Sequence, residues 1–95
     1  MKNTLNERTI QAAKNNLVRC NRLTNENFGA LMDAYIYDAS APIRALISFL
    51  EQMKEVIKSG KTVQCDIKGE TCAIGTEKEF YEFVEKYFMD IRADV

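Results

Sequence analysis

One change of period limits what this chain can fold into. From Leu5 to Ile57 apolar residues recur at helical spacing, and over residues 62–74 the spacing drops to two. Val63, Cys65 and Ile67 alternate with Gln64, Asp66 and Lys68. A period of two is the mark of a strand with one buried face. Gly69 supplies a turn and Thr71 to Ile74 a returning strand. Beyond Ile74 the helical period resumes. The order is therefore α-α-α-β-β-α: a mostly helical α+β chain with one antiparallel β-hairpin before its C-terminal helix. Ninety-five residues with 46% apolar composition suit one domain, residues 1–95, with one modest core.

The spacing predicts helices over about 5–22, 26–37, 41–58 and 77–92, with the hairpin over about 62–74. Thr4 and Glu7 read as a capping box for the first helix. Its apolar stripe is Ile10, Ala13, Leu17 and Cys20. The second starts near Thr24 or Asn25 and carries Phe28, Leu31, Met32, Tyr35 and Ile36. Asp38 to Pro42 interrupt it, with Asp38 or Ser40 as a cap and Pro42 in the first turn of a new helix. The third is the most apolar. Ile43, Leu46, Leu50, Met53 and Ile57 form its stripe, and Ile47, Phe49 and Val56 widen it. A helix apolar over most of its circumference is central or lies in a subunit seam, and the second option motivates an expected homodimer. Gly60 is a natural C′ residue. Thr76 and Glu79 form a capping box before Phe80, Phe83, Val84, Tyr87, Phe88 and Ile91.

The hairpin allows two registers. A Lys68-Gly69 turn sets Cys65 opposite Cys72. A Gly69-Glu70 turn sets Cys65 opposite Ile74 and Ile67 opposite Cys72. The second gives one uniformly apolar face and puts Gly first, as a type II′ turn prefers, so it is the register expected. An isolated hairpin is marginal, so its apolar face must pack on the helices or pair with a second copy.

Chemistry finds little footing. The chain has no histidine, which removes the commonest general base and transition-metal ligand together. Three cysteines and no apolar leader point to reduced thiols and a cytoplasmic protein. Cys20, Cys65 and Cys72 all fall on apolar faces and read as small buried hydrophobes. Their spacing is not that of a zinc site, and no Gly-rich phosphate loop is present. Asp33, Tyr35, Tyr37 and Asp38 form the one acid-plus-aromatic cluster before the hairpin. No apolar run is long enough to cross a membrane. The expectation is no enzyme, no cofactor and no metal.

Charge is the remaining signal. The net charge is −1, unevenly spread. Residues 1–22 carry Lys2, Arg8, Lys14, Arg19 and Arg22 against Glu7, a net +4; the rest carries eight basic and thirteen acidic residues, a net −5. On a helical projection Arg8, Gln11, Asn15, Arg19 and Arg22 share the polar face of the first helix. These five are the candidate contacts for a macromolecular partner, either a protein or, second, DNA. They could instead face acidic parts of the same fold. In element order alone the chain resembles a winged-helix regulator, which implies a third helix that reads DNA and a hairpin wing. The residues oppose this, because the third helix spends its surface on apolar groups and Arg44 is the one cation in its first turns. Binding of a small ligand by Tyr35, Tyr37 or a dimer seam stays open. Small adaptor, antitoxin and phage-encoded inhibitor proteins share this general profile.

Overall fold

The computed structural model describes residues 2–37 and 43–95; for residues 2–7 and Tyr37 the backbone alone is described. The expected order is present with one addition. Helices α1 (Lys2–Cys20), α2 (Asn25–Tyr37), α3 (Ile43–Lys58) and α4 (Glu77–Tyr87) surround a sheet of β1 (Arg22–Leu23), β2 (Val63–Ile67) and β3 (Glu70–Ile74). The sheet order is β1-β2-β3, with β1 parallel and β3 antiparallel to β2. The capping residues proposed among Asp38 to Pro42 lie outside the described residues.

Helix α3 is the centre of the core. Leu46, Phe49, Leu50, Met53, Val56 and Ile57 are buried. They pack with Ile10, Ala13 and Leu17 of α1, Phe28 and Leu31 of α2, and Phe80, Phe83 and Val84 of α4. The apolar circumference that suggested a subunit seam is thus absorbed largely within one chain. Its end is a Schellman motif. Gly60, at φ 94°, donates to the Ile57 carbonyl at 3.0 Å, and Lys61 donates to Val56 at 3.3 Å.

Helix α1 begins at Lys2, before the expected cap at Thr4, and stops at Cys20 rather than residue 22. Asn21 ends it by taking φ 54° while its N–H donates to the Leu17 carbonyl at 2.8 Å. Asn is one of the few residues that enters this left-handed region readily. The chain leaves the helix extended, so Arg22 and Leu23 pair with Gln64 and Cys65 of β2. Leu23 is fully buried. Thr24 then caps α2, its Oγ1 accepting from the Asn27 N–H at 3.1 Å.

The hairpin takes the register that was not expected. Cys65 pairs with Cys72 and Ile67 with Glu70, around a Lys68-Gly69 turn. Both turn residues have positive φ, 53° and 81°. That is the pattern of a type I′ turn, whose twist matches the strands. Asn25 helps to hold it, its Oδ1 accepting the Lys68 N–H at 2.8 Å. A second expectation fails independently of the register, since either register sets Cys72 on the face of Val63, Cys65 and Ile67. Val63, Cys65 and Ile67 are buried, but on β3 only Ile74 is. Of the three cysteines Cys65 alone is buried, and Cys20 and Cys72 are exposed.

Helix α4 starts as expected. The Glu79 N–H donates to Thr76 Oγ1 at 3.1 Å, and Glu79 Oε1 accepts the Gly75 N–H at 2.9 Å. It ends early, at Tyr87 instead of residue 92. Phe88 leaves helical geometry (φ −137°, ψ 43°) and buries its ring, and a 3₁₀ segment follows over Met89–Asp94. Phe28 of α2 stacks edge-on against Tyr87 at 4.9 Å, and Tyr35 against Phe88 at 5.2 Å. Those contacts reward the break, because a continued helix would carry Phe88 along a different direction.

Candidate functional site

Buried Ile10, Ala13 and Leu17 anchor α1 against the core and fix which side faces out. Arg8, Gln11, Ala12, Asn15, Val18 and Arg19 are exposed. Arg8 and Arg19 are eleven positions apart, about 16 Å along a helix rising 1.5 Å per residue. Between them Gln11 donates to Asn15 Oδ1 at 3.0 Å. Val18 is 52% exposed at the edge of this face, on the side of Gln11 and Asn15. Among the described residues neither Arg8 nor Arg19 forms an ion pair. Lys14 belongs elsewhere, since its Nζ turns inward to Ser48 of α3 at 2.8 Å.

Arg22 does not join that helix face. It lies on β1 beyond the helix stop, and its Nε donates to Asp66 Oδ2 at 3.0 Å. Thr71 adds a third strand to the contact by donating to Asp66 Oδ1 at 3.1 Å. The Arg22 guanidinium beside it holds the Asp66 carboxyl below its ordinary range. Four of the five sequence candidates therefore share one surface, and the fifth ties two strands together.

The helices of a DNA-reading arrangement offer little to a phosphate backbone. The exposed positions of α3 are Arg44, Glu51, Glu55 and Lys58, and those of α2 include Glu26 and Asp33. Tyr35 has structural employment: its hydroxyl accepts the Asp90 N–H at 3.1 Å. Asp38 lies outside the described residues.

The thiols divide by environment. Burial pushes the Cys65 thiol from 9.0 up to about 12, with Cys72 beside it and the Asp66 charge adding to the effect. A thiol so disposed stays protonated and is a poor nucleophile. Among the described residues no group of three or more Cys, Asp or Glu could hold a metal ion, and no helix is long and apolar enough to cross a membrane.

A second surface went unread in the sequence. A cleft of about 260 Å³ runs between β3 and α4, lined in part by Cys72, Ala73, Glu79, Glu82 and Lys86. A smaller one of about 140 Å³ continues it past Glu70 and Thr71, sharing Cys72, Lys86 and Tyr87. It was hidden by the expectation that the hairpin's apolar face is sealed along its whole width: either register sets Cys72 on that face, and at β3 the face is left open. The legible clue was Thr71 and Ala73, which are small and uncharged and leave an edge uncovered.

No family model, curated protein or solved structure matches the chain. The surfaces themselves are what bear on function.

Proposed function

We propose that the protein is a non-catalytic interaction module that docks on an acidic surface of another protein through the outer face of α1. The observation that carries this reading is Val18. An apolar side chain left 52% exposed at the edge of the face that carries Arg8 and Arg19, beside the neutral amides of Gln11 and Asn15, supplies the apolar contact bordered by polar groups that a protein-docking patch needs. A surface built for phosphates would be richer in cations, because affinity there grows with the number neutralised. The cations give orientation and encounter rate, and Val18 gives the desolvated contact.

The test is photo-crosslinking in cells of the source organism with a photoreactive residue at Ala12, which lies on the same face. An adduct with an acidic protein is expected. It should disappear in the Arg8→Glu/Arg19→Glu chain and weaken in Val18→Asp, while circular dichroism stays unchanged. An adduct that survives the double reversal, or one formed with nucleic acid and removed by nuclease, overturns the reading.

A further inference from the structure

The two edges of the sheet are finished differently. The β1 edge is two residues long and carries Arg22, bonded to Asp66. The β3 edge is five residues long, and Glu70, Thr71, Cys72 and Ala73 on it are all exposed. Its central Thr71-Cys72-Ala73 has no charge and no proline, and its pairing with β2 is unbroken by a bulge. Folded proteins ordinarily blunt such an edge with short length, charge, proline or a bulge. Only the first residue of β3, Glu70, does so here.

The turn fixes which backbone groups are free. In a two-residue hairpin the pair flanking the turn exchanges hydrogen bonds, and every second pair thereafter does too. Ile67–Glu70, Cys65–Cys72 and Val63–Ile74 are therefore the bonded pairs. Gln64 agrees with this phase: its N–H points away from β3 and donates to the Asn21 carbonyl at 2.9 Å. By the same alternation Thr71 and Ala73 turn their N–H and C=O groups outward.

We propose that two copies of this chain pair along β3, antiparallel, about a twofold axis through Cys72, so that each sheet continues into the other. Centring on Cys72 pairs all five strand residues. Thr71 of one copy exchanges both backbone bonds with Ala73 of the other, and Glu70 stands opposite Ile74 rather than opposite another carboxylate. The charges at the two ends of α4 complement each other under the same operation. Glu79 lines the cleft beside Ile74, and Lys86 lines it beside Glu70. The axis brings the Ile74 end of one copy to the Glu70 end of the other, and with it Glu79 toward the second copy's Lys86, while Glu82, which lines the cleft between them, stays on the solvent side nearer the axis. An unrelated extended peptide could fill the backbone bonds of β3, but it would not bring this symmetric exchange of acid and base. The surface is also independent of α1, whose outer face leads toward β1 at the opposite edge.

Sedimentation equilibrium of the full chain under reducing conditions tests this. The mass should rise with concentration from 10.9 kDa toward twice that value. Ala73→Pro removes an outward N–H and leaves the β2 ladder intact; Cys72→Lys sets two like charges face to face at the axis. Each should raise the dissociation constant by about tenfold or more with circular dichroism unchanged. Arg8→Glu/Arg19→Glu should dimerise as the parent does, which separates this surface from α1. The axis itself is read by cross-linking. Cys72 residues in a non-hydrogen-bonded antiparallel pair lie about 4.5 Å apart at Cα, inside the disulfide range of roughly 4.4–6.8 Å. A Cys20→Ser/Cys65→Ala chain keeps Cys72 as its one thiol. Diamide, taking two electrons and two protons from a pair of thiols, should link it faster than a Cys65→Ala/Cys72→Ser chain that keeps Cys20. A monomer at every concentration overturns the proposal. So does a dimer whose affinity neither variant changes, or a Cys72 that links no faster than Cys20.

Discussion

Lys68→Asn should stabilise the protein, and the sign of the effect reads the hairpin register directly. Lys68 sits at φ 53°, a region that costs an ordinary L-residue roughly 1–2 kcal/mol. Asn enters it more readily and with Gly forms the preferred type I′ pair. Relief of about half that strain gives a gain of about 0.5–1 kcal/mol. The backbone N–H that donates to Asn25 is the same in both chains, so that bond should not change. Lys68→Val should do the reverse, because a β-branched residue is poorly accommodated at positive φ. In the alternative Gly69-Glu70 turn residue 68 would be an extended strand residue, and both signs would invert, Val being favoured in strands and Asn depleted. Urea denaturation followed by circular dichroism measures the difference, with the midpoint moving at constant slope. For a chain of this size 1 kcal/mol corresponds to a melting shift of about 4–8 °C. A Lys68→Asn chain less stable than its parent, with Lys68→Val more stable, would refute the turn assignment and the outward phase of Thr71 and Ala73 with it.

Three other outcomes follow from the local chemistry. Thr76→Ala removes the oxygen that accepts the Glu79 N–H and should cost about 1 kcal/mol in denaturant unfolding. The Glu79 carboxyl is held below its ordinary range by the Gly75 N–H, so its contribution is present above the unfolded-state pKa and is lost as pH falls through the lowered folded value; Glu79→Gln should flatten that part of the acid limb. Cys65 has the opposite linkage. Its thiol ionises near 9.0 when unfolded and near 12 when folded, so the unfolded chain releases its proton first as pH rises. Stability should fall between those values more steeply in the parent than in Cys65→Ala, and parallel slopes would contradict the burial assigned to this thiol.

The helices were legible because each carries a full apolar stripe, and the composition of α3 limited it to the centre of the core or a subunit seam. The two departures have a common cause in contacts between distant parts of the chain. Strand β1 is two residues long, too short for any period, and it exists because Asn21 halts α1 and Leu23 finds a pocket beside Cys65. The register turned on two local rules in conflict, a glycine-first turn against a turn with positive φ at both positions. Part of the deciding contact comes from Asn25, 43 residues away. Arg22 was misplaced for the first reason; Cys72 lies on the expected face in either register and is exposed because that face is left open at β3. The exposed face of α1 needed neither, since helical spacing alone sets Arg8, Gln11, Asn15 and Arg19 together once Ile10, Ala13 and Leu17 are inside.

The two proposed surfaces bear on each other through the order of the sheet. β1, where α1 delivers the chain, and β3, where a second copy would pair, are opposite edges with β2 between them. Pairing at β3 therefore leaves both α1 faces open and turns them into two contacts on one particle. That matters because a face with two arginines and one exposed valine is weak by itself; exposed ion pairs contribute about 0–1 kcal/mol each. Joined in a dimer, the second contact forms within the same complex, and a partner that repeats or is itself symmetric can be held about 10²-fold more tightly without any new contact. A partner presenting one isolated site gains nothing from the dimer. Under the two proposals together, the protein should prefer partners that display an acidic surface more than once.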